Sequence, residues 1–473
     1  MSIYLIFVLV YLSALIFVGA RKARSIKTQG DFALAGRGLS SFVLTGTLLA
    51  TWIGTGSIFG NSEEAYSVGV AAWVIPLSGA VGIFVLTLLA HRVRRQDNFT
   101  IQDILERSFG PLSRIIGTIT LTLAYVIIVS YQYRAGAAIV EQIAPSLPHV
   151  WAIIMVAVFV TLYTYLAGMY SVAYTDVVNG LLMLVGFMIA IPILLVKVGG
   201  LDGLWQALPA AKQSFTGHYS FGTLISILLP SLLLILGDAN LYARFFSAKS
   251  PEAARKSARW MLGTVLVVEW MIIFLAIIGV ALVQKGIIAE PQNIGHIAVQ
   301  IAFYALPPFL GAMLMATIIA IVVSTADSYL LAPASSIVRD VYQRFVKPEA
   351  NDKELVQVSR LTVLVLGAIA LAMAFASKEF FSVSLFAYTL YGASITPALL
   401  AALFWKGVHP KAGTASMIVG LVTALLWKFF QTQNMLPTWV VEQGIDAVVP
   451  AAGLAFLTLI LGSMLMKKPV NHT

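Results

Sequence analysis

Thirteen stretches of this chain are each long and apolar enough to form a helix across a lipid bilayer, and little sequence is left between them. A helix needs about 20 predominantly apolar residues to cross the hydrocarbon. Such runs occupy 3–20, 39–63, 72–93, 112–137, 149–168, 173–195, 221–241, 260–284, 306–332, 358–377, 380–405, 412–430 and 447–466. Backbone polar groups in lipid must be satisfied within the structure, so runs of this length specify helices. The expected fold is an all-α polytopic membrane protein with about 13 transmembrane helices. Composition agrees: 11% of residues are charged and 59% hydrophobic, whereas soluble domains carry roughly 25% charged residues. The first run has no basic region ahead of it and no small-residue cleavage site behind it, so it is read as a retained span.

The net charge of +9 suits nucleic acid less well than it suits topology. Assigning alternate connections to one side, starting after the first run, places 24 of the 30 Lys and Arg residues together. By the positive-inside rule that side is cytoplasmic. The N-terminus is then outside, the C-terminus inside, and the compartment the plasma membrane, with no nucleic-acid partner expected. No connection is long enough for a separate domain, so residues 1–473 read as a single membrane transport domain. There is no cysteine, which removes disulfides and thiolate metal sites.

Two runs are poor continuous helices. The second contains Thr51-Trp52-Ile53-Gly54-Thr55-Gly56-Ser57, and the seventh has Pro230 followed by Gly237-Asp238-Ala239-Asn240. Interrupted backbone within a membrane is tolerated where it lines a cavity. The two runs lie five helices apart and point in opposite directions. They therefore open two halves of inverted topology, 39–195 and 221–405, flanked by 1–38 and 406–473. That pattern indicates a secondary transporter with its site at the midplane. Close helix packing at glycine explains Gly54 but leaves Asp238 and Asn240 unexplained.

Polar groups inside the runs are the candidate site. Ile321 to Arg339 holds Ser324, Thr325, Asp327 and Ser328. Hydroxyl, carboxylate and freed carbonyl oxygens are hard ligands for a small cation, although Ser and Thr also bond back to their own helix. Asp176 and Asp327 both approach the membrane from the same side and could share a cation, or act as solvated caps. Glu269 has no evident mechanism. Arg134 follows Tyr131-Gln132-Tyr133 and is read as snorkelling to the interface, with a substrate carboxylate as the other option. Trp52, Trp73, Tyr131, Tyr388 and Tyr391 are candidate pocket walls. No P-loop, catalytic triad or dinucleotide fingerprint is present, so the protein is not expected to be an enzyme, no cofactor is expected, and an ion gradient is the expected energy source.

Several stretches together resemble the sodium/solute symporter family, which includes the proline, pantothenate, sialic acid and glucose symporters. They are Ala35-Gly36-Arg37-Gly38-Leu39, Ala50-Thr51-Trp52-Ile53-Gly54, Ala167 to Val177, Arg244-Phe245-Phe246-Ser247-Ala248-Lys249, and Ser324 to Ser328 running on to Tyr342. The resemblance implies a leucine-transporter-like 5+5 inverted repeat with one extra helix before and two after. It also implies a sodium site formed by the carbonyls of Ala50, Ile53 and Ile321 with the hydroxyls of Ser324 and Thr325. Some members hold a second sodium, to which Asp176, Ser324 and Ser328 correspond here, while Asp327 stands where those members have a hydroxyl. The implied substrate pocket is Trp52, Gly56, Gln132, Asp238, Asn240 and Tyr388. A carboxylate at Asp238, in place of an amide, would favour an amine or polyhydroxyl solute.

The function expected is sodium-coupled import of a small polar organic solute (an amino acid, sugar or carboxylate) by alternating access. The partners are then the solute, Na⁺ as coupling ion, and the lipid bilayer. The alternatives are a proton-coupled permease of the same architecture using Asp176 or Asp327, and an ion channel. A sensor lacks a signalling domain after the last run.

Overall fold

The computed structural model describes residues 3–23, 26–96, 98–216, 219–376 and 379–466. Of the basic residues counted above, Arg24, Lys378, Lys467 and Lys468 lie outside them. Among the described residues the structure is helical, with one isolated bridge between Leu39 and Ala248, and ten helices are long and apolar enough to cross a membrane.

In chain order the principal helices are α1 (Ile3–Ala23), α2 (Ser41–Trp52), α3 (Ser62–Val68), α4 (Ile75–Arg95), α5 (Ile101–Phe109), α6 (Pro111–Ile143), α7 (His149–Lys197) and α8 (Phe221–Gly237). They continue as α9 (Ala239–Ser247), α10 (Pro251–Gln284), α11 (Pro308–Ser336), α12 (Asp352–Met373), α13 (Phe381–Phe404), α14 (Pro410–Thr432) and α15 (Val448–Leu465). Their starts follow local chemistry. Ser40, Ser220 and Ser250 cap α2, α8 and α10 by accepting from the N–H three residues on. Proline opens α6, α10, α11 and α14, where its missing N–H is not needed.

The apolar runs at 149–168 and 173–195 lie along α7, whose helical path is interrupted at Gly168 (φ 58°, ψ 173°). Only glycine adopts that conformation cheaply, and a Cβ there would also meet Ile26 and Phe32 at 2.9 and 3.0 Å. Large apolar side chains left exposed on the helices, among them Leu88, Met188, Leu361 and Phe429, form the surface that lipid covers. Most of the buried apolar residues form one continuous cluster that runs through the long helices, with a small separate one at Val338, Ala350 and Leu355.

The second and seventh runs are broken as expected. α2 ends at Ile53, which is extended (φ −73°, ψ 101°), and helix resumes as the wide segment Gly56–Asn61 before α3. The other break separates α8 from α9 at Asp238 (φ −62°, ψ 114°). Hydroxyls fill the carbonyls that this second break releases. Tyr391 donates to the Gly237 carbonyl at 2.9 Å, Tyr242 to Leu236 at 3.1 Å and Thr396 to Leu233 at 2.6 Å.

A charged cluster ties one end of the bundle together. Arg114, at the start of α6, pairs with Asp103 at 2.5 Å, Glu106 at 2.6 Å and Asp340 at 2.6 Å. Thr100 donates to the same Asp340 oxygen at 2.9 Å. Burial pushes the Asp103 carboxyl up, but the Phe99 and Thr100 N–H groups and the Arg114 guanidinium together hold it below the ordinary carboxylate range.

Candidate functional site

The break in α2 faces the polar stretch of α11. Ser324 Oγ lies 3.2 Å from the Ala50 carbonyl oxygen and 3.2 Å from that of Ile321, and Thr325 Oγ1 lies 3.3 Å from the Ile53 carbonyl. Three carbonyl and two hydroxyl oxygens from two helices therefore converge, and the five residues that carry them are buried. They belong to the five residues named on resemblance. The approach depends on Gly54: a Cβ there would sit 2.8 Å from Thr325 Cγ2 and 2.9 Å from its Oγ1. Extended backbone at Ile53 frees the carbonyls, and the absent side chain at Gly54 lets α11 reach them. A set of neutral oxygens of this kind suits a hard monovalent cation.

One turn along α11, Asp327 and Ser328 meet Asp176, joined by a residue that sequence reasoning did not single out for the site. Arg244, fully buried on α9, donates to Asp176 at 3.3 Å, Ser328 at 2.8 Å and Thr47 at 2.9 Å. Thr47 in turn donates to Asp176 at 2.6 Å, and Ser328 to Asp327 at 3.2 Å. A guanidinium thus occupies the middle of the group expected to hold a second sodium. Asp176 Oδ1 has no hydrogen-bond partner.

Of the expected pocket residues, Trp52, Gly56 and Tyr388 come together around a small cavity of about 30 Å³ beside the α2 break. Ser57, Asn61, Ser231 and Glu269 share its wall. Gly56 is small by necessity, because a Cβ would collide with the Tyr388 hydroxyl. Gln132, Asp238 and Asn240 do not line this cavity. Gln132 accepts from Thr55 in the break and leaves its Nε2 without a partner. The Asn240 side chain is buried with neither polar atom bonded.

Asp238, expected to face a substrate amine, is engaged elsewhere. It caps α9 through the Leu241 N–H at 2.9 Å and accepts from Tyr125 at 2.9 Å and Tyr329 at 3.3 Å. These three donors tie the carboxylate to the start of α9 and to two tyrosines at the second break. Arg134 is buried, with its guanidinium 4.9 Å from the centre of the Phe380 ring, a cation–π contact in place of the snorkelling expected. The signal for Arg244 lay in its sequence, a basic residue directly after an apolar run; its partner, 68 positions away, did not.

A sequence model of the sodium:solute symporter family matches residues 32–420. The osmoregulated proline transporter OpuE of Bacillus subtilis is 26% identical over 100% of this chain and 96% of its own length. The sodium/proline symporter of Haemophilus influenzae is 26% identical over 97% of this chain and 94% of its own, and that of Escherichia coli 27% identical over 97% and 92%. Among solved structures, the backbone is similar to a Na⁺-coupled sialic acid symporter in a substrate-bound outward-open state. That comparison has a TM-score of 0.84, 17% identity and coverage of 99% of each chain. A nucleobase-cation-symport-1 family transporter in a closed conformation gives a TM-score of 0.61 at 13% identity, covering 92% of this chain and 94% of that one.

Proposed function

The chain belongs to the sodium:solute symporter family, and from that premise we propose that it imports a small polar organic solute driven by the sodium gradient. The observation that carries this reading is the approach of the Ser324 and Thr325 hydroxyls to within 3.2 and 3.3 Å of the Ala50 and Ile53 carbonyls. A sodium ion among these oxygens ties the broken α2 to α11. It thereby stabilises the segment that follows the break and walls the cavity. Ion and solute then raise each other's affinity by one shared coupling free energy. Rocking of one set of helices against another exposes the pair to each side in turn.

This reading takes the chain as about thirteen spans in two inverted halves, and the contacts between the two breaks support it. The third helix of each half reaches the break in the other: α11 meets α2 through Ser324 and Thr325, and α6 meets the α8–α9 break through Tyr125 and Asp238. With Arg244 already supplying a cation between Asp176 and Ser328, we place the coupling ion at the first position alone. The lysine and arginine distribution puts the N-terminus outside the cell and the C-terminus in the cytoplasm.

Proline, named for several relatives, is the first solute to test. In proteoliposomes an inward sodium gradient should drive its accumulation, and Ser324→Ala combined with Thr325→Ala should abolish that stimulation. Unchanged sodium dependence in the double variant removes the assignment.

A further inference from the structure

The buried carboxylate that the mechanism above leaves unused is Glu269. It sits within the 34-residue helix α10, well inside the membrane, and is 4% exposed. Its two oxygens accept from Ser57 Oγ at 2.7 Å and Asn61 Nδ2 at 2.9 Å. Both donors are neutral, and among the described residues no ion pair reaches it. Two buried arginines of the interior are engaged elsewhere, Arg134 over Phe380 at 4.9 Å and Arg244 with Asp176 at 3.3 Å. A carboxylate kept in the hydrocarbon without a cation is costly, and such residues mark ligand pathways.

Glu269 lines the same cavity of about 30 Å³ together with Trp52 and Tyr388. That space holds on the order of two waters, enough for an ammonium group. Two aromatic side chains beside one carboxylate suit an organic ammonium. A second alkali ion would want more hard oxygens than this wall offers. Gly56 admits the Tyr388 hydroxyl at its wall, and a Cβ on Gly79 would lie in ordinary contact with the Trp52 indole at 3.4 Å.

We propose that Glu269 is the anionic anchor for a cationic nitrogen on the transported solute, so that the substrate is an amino acid or another organic amine. This rests on the reading of the chain as a symporter whose solute occupies this cavity. It also supplies the link between ion and solute. Sodium takes the Ala50 and Ile53 carbonyls before the break, while the ammonium neutralises the carboxylate that Ser57 and Asn61 hold just after it. Both ligands therefore act on one short segment from its two ends.

The test is thermal stabilisation of the purified full-length protein, in sodium and in potassium chloride, by L-proline, pyrrolidine and choline against N-acetylproline and glucose. At least one amine should stabilise the protein in sodium, and neither N-acetylproline nor glucose should. Glu269→Gln should weaken the responding amine about tenfold or more, the loss of one charge-assisted contact, and Glu269→Asp should restore part of it. Stabilisation by N-acetylproline or glucose overturns the inference, as does silence from all three amines, which needs no variant to fold. An unchanged response in Glu269→Gln overturns it too. An amine response that needs Glu269 but is indifferent to sodium supports the anchor and counts against the sodium reading alone.

Discussion

Gly54 is where one atom decides the site. Its missing side chain leaves room for Thr325, and the neighbouring backbone is held by the Leu49 carbonyl, which accepts from the Ile53 N–H at 2.9 Å. Neither side can retreat freely, so Gly54→Ala should push α11 away at an overpacking cost of about 1–3 kcal/mol. The expected outcome is a sodium half-saturation raised about tenfold or more with protein still folded, read from a sodium titration of melting temperature. An unchanged half-saturation contradicts the geometry. Residue chemistry was readable where it breaks a rule: Ser324 and Thr325 are expensive in an apolar run unless they meet something. At Asp238 it left the partners open, because a carboxylate that caps a helix and one that binds a solute look alike in sequence. The pairing of Arg244 with Thr47 and Asp176 was invisible for the same reason, the partners lying far away in the chain.

At the scale of elements, apolar runs locate helices but not their ends. The eighth run begins at 260, whereas α10 begins at Pro251, because a run registers only the part of a helix that lipid surrounds. The polar first turns of α10 lie beyond it, and α5 was not seen at all, since it is an amphipathic nine-residue helix. That helix carries a pH-dependent contribution. Asp103 is held below the ordinary carboxylate range, so its ionised form stabilises the fold at neutral pH. The contribution is present above the unfolded value, about 3.9, and fades as pH falls through the lower folded value. Asp103→Asn should therefore melt lower than the parent at pH 7, with the gap closing below about pH 4. A gap of constant size across that range contradicts the assignment. The two breaks, by contrast, were legible, because glycine, proline and polar side chains inside lipid-length runs have few other uses.

For the whole molecule, the alternation of basic and non-basic connections makes a topology that can be measured directly. The chain has no cysteine, so single cysteines report without interference. A thiol at exposed Asn434 should react with an impermeant reagent in intact cells, and one at exposed Glu349 only after permeabilisation. Reversed or equal labelling overturns the orientation. Both breaks lie in the middle of this fold, and the claim joining them to function is that α2 and α11 close around one alkali cation. Its most direct test needs no knowledge of the solute: the melting temperature of the purified protein in sodium chloride against potassium chloride at equal ionic strength. Binding to the folded state alone adds about 2.7 kcal/mol at a hundredfold excess over Kd. The account predicts that sodium raises the melting temperature, that potassium does not, and that the increment disappears in the Ser324→Ala, Thr325→Ala variant. Equal stabilisation by the two salts, or a sodium increment that survives the double substitution, contradicts it.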